Sequence, residues 1–229
     1  MGLGSSWHEI IDVLRAIIPV YDRVNRAISL GKDVEFRERG IHARIKKGNL
    51  ILDAGSGYGN MSKEALRQCN NELHIAMLDP IPEMLIKAKT EFNIKDLLVS
   101  GVFEHLPFSD NTFDVVMCGY SFRDAISMRS TIAEFHRVLQ DNGRLIIVDI
   151  GKPDSAFNRA AVSLYLKFIV GLLAFFAAGS MGLKFRAIYG TYKKLPKNSE
   201  LKRLLREKFI KVEFETRMMD GAIIVAAYK

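Results

Sequence analysis

The stretch "LDAGSGYGN" (residues 52–60) decides the fold of this chain. It places the glycines Gly55, Gly57 and Gly59 between a short apolar run and an amphipathic segment. Glycines at such a junction let the backbone approach a ligand at the carboxyl edge of a parallel sheet, which is where open α/β folds bind. The stretch therefore predicts a strand, a ligand-binding loop and a helix, in that order.

Further apolar runs recur along the chain after the first one. Together the five runs are residues 49–54, 73–79, 96–101, 114–119 and 143–150. Near-continuous hydrophobicity over such lengths is typical of strands that are covered on both faces. Segments between them, such as "MSKEALRQC" (61–69), have apolar residues at the three-and-four spacing of an amphipathic helix. The alternation predicts a doubly wound α/β sheet.

The C-terminal end has a different pattern. The segments "KVEFETRMM" (211–219) and "AIIVAAYK" (222–229) are joined only by Asp220-Gly221, which is a strong signal for a tight hairpin. We therefore expect a mostly parallel sheet with an antiparallel hairpin at one edge. About 60 helical residues precede this hairpin, which is more than a simple crossover needs.

The composition favours a single domain over residues 1–229. A chain of 229 residues with 48% hydrophobic residues can bury a core of that size. Within it we expect a helical N-terminal cap, a cofactor-binding core, an apolar and basic helical lid, and a closing hairpin, over residues 1–48, 49–150, 151–209 and 210–229. Two cysteines give neither a disulfide framework nor metal-ligand spacing, so we expect a reducing, cytoplasmic location and no metal.

Positive charge is concentrated in the C-terminal third. Residues 151–229 hold 15 Lys and Arg against six Asp and Glu, a net charge of +9, whereas the remainder carries −2. This bias is compatible with a solvated helix face, with contact to anionic lipid, or with nucleic-acid binding.

Within that third, residues 168–183 form a run of 16 residues without a charge, between Lys167 and Lys184. A helix of that length measures about 24 Å, short of the ~30 Å hydrocarbon core of a bilayer. A membrane span would also separate the last parallel strand from the closing hairpin of the same sheet. Burial in the core and a role as a substrate entrance remain the two favoured interpretations.

The glycine loop itself indicates the type of ligand. Its G-x-G-x-G spacing differs from the G-x-G-x-x-G of dinucleotide binders, and Asp53 stands ahead of the first glycine, where it would repel a pyrophosphate. Asp79 ends the second predicted strand, where a carboxylate can accept both ribose hydroxyls. Either Asp alone could be a helix cap, but together they predict S-adenosylmethionine, which carries a cation and an amine.

Several stretches together make the chain resemble the ubiquinone/menaquinone biosynthesis C-methyltransferase family. They are "YDRVNRAISLGKDVEFR" (21–37), "LDAGSGYG" (52–59), "LDPIPEML" (78–85), "EHLPFSDNTFDVV" (104–116), "FRD" (122–124), "FHRVLQDNGRLIIVDIGKP" (135–153), "YGTYKKLPKNSELKRLL" (189–205) and "MMDGAIIVAAYK" (218–229). The resemblance covers nearly the whole length. It implies a Rossmann-like class I methyltransferase fold with a seven-stranded, mostly parallel sheet.

The resemblance also implies the cofactor site. The residues implied to bind S-adenosylmethionine are Asp53, Gly55, Gly57, Tyr58, Asp79, Pro80, Val102, Phe103 and Gly119. The chain departs from the family pattern at Val102, where the family has Asn or Asp, at Gly119 in place of Ser, and at Phe36 in place of Trp. We expect the cofactor to bind despite these changes, whereas the identity of the methyl acceptor stays open.

The activity implied by the resemblance is C-methylation of a prenylated quinol, a lipophilic small molecule. Arg123 could stabilise the phenolate that makes a ring carbon nucleophilic, although it could equally form a salt bridge to Asp124 or another acid. The proton acceptor is open among Tyr21, Asp22, Tyr120, Asp124 and His105. The predicted catalytic set is Tyr21, Tyr120, Arg123 and Asp124.

For the apolar run, the resemblance favours a lid over the carboxyl edge that admits a lipid-tailed ring. Leu172, Phe175, Phe176 and Tyr189 are predicted to line it, with basic neighbours resting on anionic membrane at the inner face of the cell membrane. Two alternatives remain: methylation of another lipophilic or small acceptor such as a lipid amine, and an RNA-modifying or nucleic-acid-binding protein. An uncharged helix without interleaved cations argues against a nucleic-acid partner. A homodimer is left open.

Overall fold

The computed structural model describes residue 15, residues 18–92 and residues 97–229. Parts of the predicted N-terminal cap (1–14 and 16–17) and the first residue of the predicted third strand therefore lie outside the described residues.

The strands of the described residues form one seven-stranded sheet in the order β3-β2-β1-β4-β5-β7-β6. They are β1 (Leu50–Ala54), β2 (His74–Asp79), β3 (Leu98–Ser100), β4 (Phe113–Gly119), β5 (Leu139–Ile150), β6 (Lys211–Arg217) and β7 (Ala222–Tyr228). Strands β1 to β5 pair in parallel, and β7 pairs antiparallel with both β5 and β6. This architecture confirms the predicted fold class. The strand order reverses between β1 and β4, and ligands bind at such switch points.

Helices cover both faces of the sheet and continue beyond its edge. They are α1 (Tyr21–Ile28), α2 (Lys32–Ile41), α3 (Asn60–Gln68), α4 (Pro82–Phe92), α5 (Met128–Val138), α6 (Ala156–Leu164), α7 (Val170–Ala178), α8 (Ala187–Lys194) and α9 (Asn198–Arg206). One turn of π-helix, Tyr165–Ile169, joins α6 to α7, and 3-10 turns over Gly179–Arg186 join α7 to α8.

The segment from α6 to α8 packs on α1 through its own apolar cluster. Val24 of α1 is fully buried together with Val170 and Ala174 of α7 and Phe185 of the turns that follow. The two other apolar clusters lie on the two faces of the sheet. The cluster on α1 therefore holds the segment beside the loops at the carboxyl ends of the strands.

The apolar run 168–183 is not one helix, in contrast to the expectation from its composition. Helix α7 ends at Ala178, Gly179 has a φ of 60°, and the chain then turns back along the helix. A Cβ atom on Gly182 would overlap the carbonyl oxygen of Ala174, so only glycine allows this approach. The run is a tight helical hairpin.

The hairpin buries one side of the apolar run and leaves the other side exposed. Val170 and Ala174 are buried, whereas Phe168 and Phe176 are 57% and 77% exposed. By length and composition alone the stretch Ala156–Lys194 could cross a membrane, which by itself is weak evidence for a span. The structure instead turns the stretch back on itself and packs one stripe of it against α1.

Candidate active site

Three loops meet at Gly55, directly after β1. Gly55 has a φ of 66°, and a Cβ atom there would lie 2.7 Å from Cζ of Phe103 and would overlap Oγ of Ser121. The backbone N–H groups of Gly55 and Ser56 both donate to the carbonyl oxygen of Leu78, at 2.7 and 3.0 Å. Glycine is required here because of both the conformation and the contact. It brings the loops after β1, β3 and β4 together.

Asp79 lies at the end of β2 with its carboxylate at the glycine loop. Its Oδ2 accepts a hydrogen bond from the backbone N–H of Gly57 at 2.8 Å, and its Oδ1 accepts one from Ile81 at 2.9 Å. Burial raises the pKa of this carboxyl to about 6, against the lowering effect of those two bonds. Each oxygen keeps a further lone pair, which is what two ribose hydroxyls need.

Asp53 lies behind the glycine loop, and its contact with the cofactor stays a prediction. It is fully buried, its Oδ2 accepts from the backbone N–H and the hydroxyl of Ser62 at 3.1 and 2.6 Å, and burial raises its pKa to about 6. It does not line the cavity described next. Asp53 therefore fixes the start of α3, as a capping carboxylate does, and supports the loop from behind.

A cavity of about 720 Å³ lies above these loops and below α1 and α8. Twelve of the predicted site residues line it: Tyr21, Gly55, Gly57, Tyr58, Asp79, Pro80, Val102, Phe103, Gly119, Tyr120, Arg123 and Asp124. The volume lies in the upper half of the usual range for small-molecule sites, about 300–1,000 Å³.

The predicted adenine side of this cavity is apolar and firmly held. Phe103 is buried and packs edge-on against Phe135, with ring centroids 5.6 Å apart. Oε1 of Glu104 accepts from the backbone N–H groups of Ile126 and Ser127, at 2.8 and 3.1 Å, which ties this loop to the start of α5. Val102 offers only backbone groups for polar contact with an adenine.

Arg123 is held by an acid that the sequence did not single out. Its Nη1 donates to Oδ1 of Asp149 at 2.8 Å, and its backbone N–H donates to Oδ2 of the same carboxylate at 3.1 Å. Its Nε lies 3.8 Å from Oδ1 of Asp124 and has no hydrogen-bond partner among the described residues, although it is buried. Burial alone would lower the pKa of Arg123, but the charges of Asp124 and Asp149 outweigh it and raise the pKa.

A second arginine, Arg37 of α2, lines the same cavity beside Tyr120, and the sequence analysis did not predict it as a site residue. Its side chain is 6% exposed, forms a 2.8 Å ion pair with Asp33, and has its guanidinium 4.8 Å from the centroid of the Tyr120 ring. The sequence "KDVEFR" (32–37) does contain this acid and this arginine four residues apart. The same spacing is equally typical of an ion pair on the exposed face of a helix, so it did not indicate a buried site residue.

Beyond these groups lies a second cavity of about 440 Å³. Four polar residues line both cavities and are called the partition here: Asn25, Arg37, Tyr120 and Arg123.

Burial raises the pKa of Tyr120 and of Tyr21, and it raises that of Asp124 to about 6. At neutral pH Asp124 is therefore the better proton acceptor of the three.

The other predicted residues lie outside both cavities. Leu172, Phe175 and Phe176 are 51%, 46% and 77% exposed, so the predicted lining by these three is wrong: they occupy the outer face of the helical hairpin. Tyr189 stacks on Tyr192 instead, with ring centroids 6.3 Å apart.

Two further candidates for the proton acceptor also lie away from the cavities. His105 is exposed, and Asp22 is exposed and accepts a hydrogen bond from Asn60 at 2.9 Å. Within the described part of the chain, no group of three or more His, Cys, Asp and Glu residues is placed to hold a metal ion.

Comparison with known proteins agrees with this geometry. The ubiE/COQ5 methyltransferase family matches residues 4–229. The chain belongs to this family. A ubiquinone/menaquinone biosynthesis C-methyltransferase UbiE of Campylobacter jejuni is 32% identical over 171 residues, covering 71% of this chain and 72% of that protein. A demethylmenaquinone methyltransferase of Deinococcus radiodurans is 29% identical over 175 residues, covering 75% and 72%.

Solved structures with the same fold are more distant in sequence. A SAM-dependent methyltransferase of Thermotoga maritima has a TM-score of 0.64 at 15% identity and covers 95% of this chain and 98% of that one. One from Aquifex aeolicus has a TM-score of 0.56 at 17% identity, with 80% and 83% covered. With its family membership, the chain is a methyltransferase that uses S-adenosylmethionine.

The residues present fit that cofactor. A buried carboxylate, Asp79, stands where it can receive hydroxyl donors, and the backbone of Gly57 is open to the cavity with no neighbouring atom within 4 Å of a Cβ position. Phe103 and Val102 supply an apolar wall for a base. The cavity continues past this region to the partition, so it leaves room for an acceptor beside the cofactor.

We predict that Asp79→Asn raises the Kd for S-adenosylmethionine at least about tenfold. The amide keeps one acceptor oxygen and turns an NH₂ group toward a backbone N–H, and hydrogen bonds to charged groups are worth roughly 1.5–3 kcal/mol. Titration calorimetry measures the change. Asp141→Asn, an exposed position at the opposite end of the sheet, is the matched control and should leave the Kd unchanged. Equal affinities for both variants would refute the ribose assignment.

Proposed function

We propose that this protein methylates a ring carbon of a lipid-tailed quinol of the ubiquinone or menaquinone type. The observation that carries the proposal is the buried guanidinium of Arg123, which stands between a cofactor-sized cavity and an apolar one. The names of the relatives from C. jejuni and D. radiodurans support the same acceptor class.

Arg123 favours the reactive form of such an acceptor. When bound, S-adenosylmethionine supplies an electrophilic methyl group, whose bond to sulfur breaks as a carbon–carbon bond forms. A quinol carbon becomes nucleophilic once a neighbouring hydroxyl has lost its proton, and the fixed charge of Arg123 stabilises the resulting phenolate. Asp149 and the carbonyl oxygen of Tyr120 both accept from Nη1, and Nε is buried beside Asp124, so the proposal assigns the contact to the charged guanidinium as a whole.

Asp124 is the proposed proton acceptor. It lies beside Arg123 in the larger cavity, and its pKa of about 6 makes it a carboxylate that is ionised at neutral pH yet basic enough to accept a phenolic proton. After methyl transfer the ring carbon loses its own hydrogen as a proton, which restores the aromatic ring.

The acceptor class is tested by incubating the purified protein with labelled S-adenosylmethionine and, separately, a demethylated tailed quinol, a lipid amine and RNA. We expect label in the quinol fraction, on carbon and resistant to the conditions that cleave O-methyl or N-methyl groups. Label in the lipid amine alone would support the alternative small or lipophilic acceptor. Label confined to RNA would overturn the proposal entirely.

We predict that Asp124→Asn lowers kcat about 100-fold, the low end of what a general base contributes, while the Kd for S-adenosylmethionine is retained. In the unmodified enzyme, kcat/KM for the quinol should fall as the pH drops below about 6, because protonated Asp124 cannot accept a proton. Saturating S-adenosylmethionine removes the contribution of Asp79, which titrates in the same range. Persistence of this acid limb in the variant would assign the base elsewhere.

We also propose that the protein contacts anionic membrane peripherally, at the cytoplasmic face, through the helical hairpin of residues 167–186. Phe175, Phe176 and Met181 are exposed near the turn of the hairpin. The chain then returns so that Nε of Arg186 lies 2.7 Å from a Cβ position on Gly171, near Lys167. Aromatic and apolar groups thus occupy the tip of the hairpin and cations its base.

That arrangement matches the chemistry of a bilayer surface. Exposed apolar side chains can enter the boundary between headgroups and acyl chains, while each Lys or Arg near an anionic surface adds roughly 1 kcal/mol. Lys167 and Lys184 are both exposed, and the Lys167 ammonium lies 5.1 Å from the centroid of the Phe168 ring. The net charge of +9 in residues 151–229 has the sign that such a surface attracts.

We predict that Phe176→Glu lowers sedimentation with phosphatidylglycerol-containing vesicles about tenfold, because it places a charge at the apolar tip. Pure phosphatidylcholine vesicles should bind the unmodified protein less. Ile210→Glu, at a residue that is 90% exposed elsewhere, is the matched control and should bind normally. If Phe176→Glu instead converts a dimer to a monomer, measured by light scattering, the hairpin is a contact between copies of the chain.

A further inference from the structure

The second cavity has a lining suited to hydrocarbon. It lies between α1 and α2 on one side and α6, the π-turn and the start of α7 on the other. Its walls are mainly Ile28, Phe36, Val162, Leu166, Val170 and Ile150. Its volume of about 440 Å³ is large enough for a ligand in its own right.

Outside the partition, the polar side chains in that lining are hydrogen-bonded or ion-paired within the protein. The hydroxyl of Tyr165 donates to the carbonyl oxygen of Ile28 at 2.8 Å. Asp33 is paired with Arg37, and Asp149 with Arg123. Along this part of the cavity an apolar chain can therefore occupy the space without leaving a polar side chain unpaired. At the partition, by contrast, the Nε atoms of Arg37 and Arg123 are buried without a hydrogen-bond partner among the described residues.

The inner end of this cavity is the partition, which it shares with the cofactor-side cavity. A ligand at that point would have one end beside the guanidinium groups of Arg37 and Arg123 and the other end among aliphatic side chains. Only an amphiphile, with a compact polar head and an apolar remainder, matches both surroundings.

The outer end reaches the surface. Leu30, Met218 and Met219 line the cavity and are 61%, 42% and 49% exposed. Leu30 lies in the turn between α1 and α2, and the two methionines lie in the turn between β6 and β7. Flexible methionine side chains at this opening suit a chain of variable length that extends beyond the protein.

We infer that the second cavity binds the hydrocarbon tail of the methyl acceptor and that the tail leaves the protein between Leu30 and the Met218–Met219 turn. The inference rests on the proposed function for the identity of the ring, since it assigns a separate subsite to the remainder of the same molecule. The tail is thus assigned to the face of α6 that lines the second cavity, and not to Leu172, Phe175 and Phe176 of α7, which the sequence predicted to line a lid.

Two neighbouring alanines of α6 give a matched pair of variants. Ala161 lines the second cavity, whereas Ala160 is exposed. Ala161→Trp should raise KM for a long-tailed quinol at least about tenfold, the equivalent of excluding roughly two methylenes, while KM for the tail-free quinol stays unchanged. Ala160→Trp should leave both values unchanged. An unchanged Kd for S-adenosylmethionine in both variants shows that the fold is intact.

The comparison of two acceptors separates the possible failures. If Ala161→Trp affects the tailed and tail-free quinols equally, or affects neither, the tail assignment is overturned while the proposed function stands. If the unmodified protein methylates neither quinol, the proposed function fails.

A binding measurement then tests the subsite without turnover. A quinone carrying a photoreactive diazirine in its tail is irradiated with the protein, and the labelled peptides are identified by mass spectrometry. We expect label within residues 161–170 or on the 218–219 turn. Label concentrated on Phe175 and Phe176 would place the tail on the outside of the hairpin and overturn the inference.

Discussion

The ion pair between Arg123 and Asp149 is the interaction that positions the residues between the two cavities. Asp149 is 1% exposed at the end of β5 and holds the loop after β4 twice, through the backbone N–H and the guanidinium of Arg123. That loop carries Tyr120, which has a positive φ of 59°, and Asp124. Removing one partner of such a buried pair leaves an uncompensated charge and costs about 3–5 kcal/mol. The proposed proton acceptor and part of the partition are thus positioned by one contact between adjacent strands.

The sheet and the cofactor side of the site were predictable because their signals are local. The apolar run before Gly55, the acid at the end of β2 and the Asp220-Gly221 turn each indicate their structure within a few residues. The partition was only half predictable, since Arg37 and Asp149 reach it through packing between distant segments. A buried ion pair at four-residue spacing has the same sequence pattern as an exposed one, and only the tertiary structure distinguishes the two.

The apolar run shows the opposite limitation. A helix that is hydrophobic on all sides carries no periodicity to indicate which side faces the core. The direction of the chain after Ala178 depends on a close contact of Gly182 with the backbone of Ala174. No local sequence pattern predicts this contact. The buried stripe therefore falls on Val170 and Ala174, and the aromatic residues predicted to line a cleft face outward. The wall of the second cavity is built by the preceding helix, whose composition is less conspicuous.

For the proposed lipid-tailed acceptor, the partition would also discriminate between that acceptor and the surrounding membrane lipid. An enzyme that takes a lipid from a bilayer meets a vast excess of plain acyl chains. A hydrocarbon pushed past Ile150 would have to cover the guanidinium groups of Arg37 and Arg123 without offering them a single acceptor, and burying polar groups in that way is unfavourable. Under the proposed function, bulk lipid would thereby be kept from competing, whereas a molecule with ring oxygens at its leading end would satisfy the same two groups.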